Sequence, residues 1–137
     1  MVRERQEHLT NTGDNKTPIR DYKDLRVWQQ AMELAKLVNE ITRPFPAEEK
    51  FGLTSQMRRA AVSVASNIAE GQARNTTGEF VQFISHAEGS LAELDTQVRL
   101  SVALGFCREN NSERISTLIT DLQKMLNGLR RKLSTNH

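Results

Sequence analysis

The chain has 137 residues, 37% of them hydrophobic and 26% charged, with a formal net charge of +2. That length and balance suit one globular domain able to bury a core without a structural metal, and the single cysteine, Cys107, excludes an internal disulfide and points to a reducing compartment. No apolar run approaches the ~18 residues of a membrane span, and Met1 to Lys23 lacks the apolar centre of a signal peptide, so a cytoplasmic protein without a membrane partner is expected.

Residues 1–20 mix Asn, Thr, Gly, Asp and charges with no hydrophobic period, which predicts a disordered arm ahead of a domain over 21–133 and a short tail over 134–137. A first helix is expected to start near Asp21 or Asp24, either of which can cap it, and to end before Pro44-Phe45-Pro46. Val27, Ala31, Leu34, Val38 and Ile41 form its buried seam at alternating steps of four and three. Leu25, Trp28, Met32 and Ala35 form a second apolar set on the opposite side, more than a domain this small can hide, and so predict contact with another subunit.

After a linker over residues 44–54, Thr54 is the expected cap of a second helix that stops at Gly71. Leu53, Met57, Ala60, Val64 and Ile68 make its seam, and Gln56, Ser63, Asn67 and Glu70 run along the edge. Behind the seam lie Val62, Ala65 and Ala69, so this helix is also packed on more than one side, and these three join Leu25, Trp28 and Met32 as the expected contact between copies. Thr76 to Glu79 reads as a capping box opening a third helix with the seam Phe80, Ile84, Ala87, Leu91, Leu94 and Val98, ended by Gly105. Asn110 or Asn111 is the expected cap of a fourth, with Ile115, Ile119, Leu122, Leu126, Leu129 and Leu133 buried. Nothing reads as a strand, and short connections favour an all-α, up-down-up-down antiparallel four-helix bundle.

Asp24-Leu25 with Val27-Trp28-Gln29, then Phe45-Pro46, Phe51-Gly52-Leu53, Arg58-Arg59-Ala60, Asn67-Ile68-Ala69-Glu70-Gly71, and Gly89-Ser90 with Glu93-Leu94 carry a family likeness over about Tyr22 to Leu133. In these segments the chain resembles the bacterial four-helix-bundle family also called the 23S rRNA intervening-sequence protein family. The resemblance implies a bundle that assembles as a ring, a homopentamer. The chain is also similar, more remotely, to the accessory proteins of diversity-generating retroelements, which implies nucleic acid and a reverse transcriptase as partners.

The residues offer little for catalysis, and no catalytic, cofactor or metal residue is assigned. A di-iron site in a bundle needs Glu-x-x-His, which is absent, and His86 lies more than 100° from the seam of its helix. Gln56, Arg59, Asn67, Glu70, Ser90 and Glu93 are expected to form a structural polar network, in which Asn67 and Glu70 lock the second helix against the third. From Lys124 onward the chain carries Lys124, Arg130, Arg131 and Lys132 and no acid, an expected exposed basic stripe. A ring would repeat that stripe into a band suited to the backbone of structured RNA or DNA, with little sequence preference because no aromatic side chain interleaves it. The expected function is therefore a non-enzymatic, nucleic-acid-associated ring, accessory to a reverse transcriptase or an rRNA element; the alternative is a ring-shaped protein–protein adaptor.

Overall fold

A computed structural model describes residues 21–135; the expected arm over 1–20 and the end of the expected tail lie outside the described residues. Asp21 accepts the backbone N–H of Lys23 at 3.0 Å, which holds its carboxyl below the usual range. It caps the short 3-10 turn Tyr22–Asp24 and not an α-helix. Helix α1, Arg26–Thr42, opens from Leu25 with no side-chain cap, so neither aspartate plays the expected part there.

A second 3-10 turn, Ala47–Glu49, leads to α2, Leu53–Gln72. The carboxylate of Glu49, at Oε1, takes the Leu53 N–H at 3.1 Å, the service expected of Thr54. Thr54 is instead one residue inside the helix and buried, and its hydroxyl has no hydrogen-bond partner. Helix α3, Thr77–Ala103, begins as expected: Thr76 Oγ1 accepts the Glu79 N–H at 3.1 Å and donates to Glu79 Oε1 at 3.2 Å. It ends at Gly105, whose φ of 83° lets the Gly105 N–H reach the Val102 carbonyl and the Phe106 N–H reach that of Ser101. Phe106 then turns onto Phe45, ring centroids 5.9 Å apart, closing that end of the molecule. Helix α4, Glu109–Thr135, starts ahead of both candidate asparagine caps and runs past Leu133.

Among the described residues the elements are helical and no strand is present. Each helix lies beside two others, α1 beside α2 and α4, and α3 beside α2 and α4, while the backbones of the diagonal pairs stay apart. All five seam residues of α1 and of α2 are buried, as are Ile84, Ala87, Leu91, Leu94 and Val98 of α3 and Ile115, Ile119, Leu122 and Leu126 of α4. Fully burying one such Leu, Ile or Val contributes about 1.5–3 kcal/mol, so the helices are held by their seams more than by intrinsic propensity.

Contact is most extensive between α2 and α3, and Gly71 shows why. It lies in the last turn of α2, one residue before the helix ends and so close to the expected stop, where a Cβ would sit 2.7 Å from Phe83 Cβ and 3.0 Å from Phe80 Cδ1. Further along the same pair, Ser63 on α2 meets Ser90 on α3.

Two residues expected between copies belong to the core of one chain. Leu25 (3% exposed) precedes α1 in an extended conformation and therefore does not follow the helical wheel that placed it outside. Ala65 (6% exposed) is turned about 100° from Val64 and stays within the packed arc of α2.

Candidate functional site

Three faces carry the side chains with functional potential. The first lies on α1 and α2. Arg58, near the start of α2, grips the end of α1: its Nε donates to Thr42 Oγ1 at 2.8 Å and its Nη2 to the Asn39 carbonyl at 3.2 Å. Thr42 passes the contact on by donating to the Val38 carbonyl at 2.7 Å, so a carbonyl and a hydroxyl at the C-terminal end of α1 both find partners. On the outer side of this pair, Met32 (39% exposed) and Val62 (54% exposed) stay uncovered, with Trp28 and Ala69 half-buried beside them. Trp28 meets Tyr22 edge-on at 5.3 Å. Trp28, Met32, Val62 and Ala69 thus remain as the surface part of the expected contact set.

The second face is the line between α2 and α3. Ser63 Oγ and Ser90 Oγ share a hydrogen bond of 2.8 Å, and Asn67 Nδ2 donates to the Ser63 carbonyl at 2.8 Å and to Ser63 Oγ at 3.0 Å. Within α3, Gln97 donates to Glu93 Oε2 at 3.2 Å. The network is smaller than expected. Gln56, Arg59 and Glu70 are exposed, and their side chains make no hydrogen bond or ion pair among the described residues. Asn67 bonds within α2, to Ser63 one turn before it on the same edge, and it is Ser63 that reaches α3 at Ser90; Glu70 takes no part.

The third face is the outside of α4. Lys124 and Arg131 are exposed and seven residues, two turns, apart, so they share one outward line. Arg130 does not belong to it. It is half-buried and turned toward α3, where its Nη2 lies 2.6 Å from Oε1 and 2.5 Å from Oε2 of Glu88. Lys132 is exposed and lies about 100° round from Arg131 in the other direction. The expected stripe of four is a line of two with one flanking lysine.

His86 is exposed, edge-on to Phe83 at 5.6 Å, and the guanidinium of Arg74 covers the same ring at 4.7 Å. Burial pushes the Cys107 thiol up in pKa, with the neighbouring Ser101 hydroxyl opposing the shift. Among the described residues no group of three or more His, Cys, Asp or Glu side chains is placed to hold a metal ion. None of their helices is long and apolar enough to cross a membrane.

Comparison with protein families matches residues 23–128 to the 23S rRNA-intervening sequence protein. The chain belongs to that family. The match covers all of the first three helices and most of α4. Among solved structures, the intervening-sequence chain is similar to a protein of unknown function from the S23 ribosomal protein family of Bacteroides thetaiotaomicron VPI-5482, with a TM-score of 0.70 and 20% identity. That likeness covers 77% of this chain and 95% of the other, and it supports the fold. A search of curated proteins finds no significant match.

Proposed function

We propose that this intervening-sequence protein is a non-enzymatic, antiparallel up-down-up-down bundle whose copies gather into a cytoplasmic ring, a homopentamer, and grip the phosphate backbone of structured RNA. The observation that carries the reading is the shared outward line of Lys124 and Arg131, in a chain whose family is named for an rRNA insertion. Two cations per chain release too few counterions for firm binding alone; repeated around a ring they become a continuous band. The apolar face of Trp28, Met32, Val62 and Ala69 supplies a reason for copies to assemble. A reverse transcriptase is a further candidate partner, by the remoter resemblance to retroelement accessory proteins.

The test is binding of a labelled RNA hairpin at low salt by the wild-type chain and by Lys124→Gln/Arg131→Gln. Binding that weakens steeply with salt and is lost in the double variant is expected. Binding that is absent, or unaffected by the substitutions, removes the reading.

The adaptor reading has its own observation. Phe51 is 88% exposed, and Leu100 on α3 and Leu104 just after it are about half exposed, which suits an apolar protein partner. A partner captured with the chain that persists after nuclease treatment favours the adaptor, and nucleic acid that disappears favours the RNA-binding ring.

A further inference from the structure

Among the described residues, Arg130 and Glu88 form the ion pair that joins two helices; Lys23 with Asp21, Lys36 with Glu33 and Arg99 with Asp95 are neighbours in sequence. Resting on the reading that Lys124 and Arg131 meet RNA phosphates, we propose that Glu88 sets the strength of that contact by holding Arg130 away from the phosphate path.

The geometry has three parts. Arg130 stands next to Arg131 in the chain and only about 100° round the helix from it, within reach of the same strand of phosphates. Its guanidinium is drawn instead to α3, where one nitrogen, Nη2, serves both carboxylate oxygens of Glu88. Glu88 does not take the two-nitrogen fork that makes arginine–carboxylate pairs strongest, and Nε is left buried without an acceptor. The pair is also wet, with 38% of the Arg130 side chain and 24% of that of Glu88 exposed. A half-exposed pair held through one nitrogen is weaker than a buried fork, and phosphate is the anion best shaped to offer a fork. Glu88 therefore acts twice: it neutralises a cation beside the basic line, and its own charge stands near the incoming phosphates.

The experiment is a salt titration of hairpin binding by wild type, Glu88→Gln, Arg130→Gln and the double variant. Glu88→Gln keeps the shape of the side chain and removes its charge. It is expected to bind about 3- to 10-fold more tightly at low salt, with a dependence on log salt steeper by about one. The double variant is expected to fall back to the wild-type slope. Arg130→Gln alone, which unmasks the carboxylate, is expected to bind more weakly than wild type, and this arm holds even where Glu88→Gln folds poorly. If wild type binds in a salt-sensitive way and both single variants match it in affinity and slope, the role assigned to Glu88 is wrong while the parent reading stands. If no protein of the set binds the hairpin, the parent reading falls and the role of Glu88 falls with it.

Discussion

Gly71 of α2 and Phe83 of α3 are in such close register that the β-carbon any other residue would bring to position 71 lies 2.7 Å from that of Phe83. Both of those atoms belong to stiff parts of the molecule, so neither can swing aside. Gly71→Ala is expected to cost about 1–3 kcal/mol through overpacking, despite the better helix propensity of alanine. Gly128→Ala in α4, where a β-carbon would meet open space, is the contrast and is expected to stabilise by about 0.5–1 kcal/mol. Thermal unfolding followed by circular dichroism separates the two; a Gly71→Ala protein as stable as wild type contradicts the packing described.

The hydroxyl contact of Ser63 with Ser90 is the polar link across the same pair of helices. Ser63→Ala and Ser90→Ala are expected to be less destabilising together than the sum of their separate effects, with a coupling of about 0.5–1.5 kcal/mol in urea denaturation. Glu70→Gln, at an exposed position, is expected to stay within about 0.5 kcal/mol of wild type. A large loss at Glu70 with no coupling between the serines would reverse the assignment.

Arg58 satisfies Thr42 and Asn39 at the end of α1. Arg58→Met keeps much of the side-chain bulk and removes both bonds, with an expected loss of about 1–3 kcal/mol. Amide hydrogen exchange is expected to accelerate most in the last turn of α1. Uniform acceleration over all four helices would show that Arg58 contributes only to global stability.

How far these features can be read from sequence depends on what each one needs. The seams were legible because three- and four-residue steps place Val27, Ala31, Leu34, Val38 and Ile41 on one stripe whatever the partner helix is. The capping box at Thr76 and the turn at Gly105 were legible for the same reason, since both are closed within a few residues. Contacts that depend on which helices are neighbours were not. Gly71 marks the end of α2 to within one residue, but its close approach to Phe83 shows only when α3 is in place, and Arg130 resembles a stripe residue until Glu88 is seen across from it. Ser63 carried a usable signal, one turn before Asn67 on the same edge, but a serine is too small and too common to stand out. Glu49 replaced Thr54 as the opening cap of α2 because a 3-10 turn brings its carboxylate back over Leu53, a local geometry that composition does not reveal.

Burial raises the Cys107 thiol, which gives a pH dependence of definite sign. The folded state keeps its proton to higher pH than the unfolded chain does. The thiol's contribution to stability is therefore complete below the pKa of the unfolded thiol and is lost as pH rises through the folded value. Reaction of Cys107 with a disulfide reagent is expected to have its midpoint at higher pH in native protein than in urea, and Cys107→Ala is expected to flatten the alkaline loss of stability. Coincident midpoints would show that the thiol is not held out of water.

The RNA-binding reading depends on copies coming together over the apolar surface of α1 and α2. Light scattering of the purified protein at micromolar concentration, beside Val62→Glu, tests this most directly. The account predicts a discrete wild-type assembly of several chains and a variant that falls to the mass of one folded chain with its helical content intact. A wild-type protein that is monomeric under these conditions, or a Val62→Glu protein that assembles as wild type does, would contradict it.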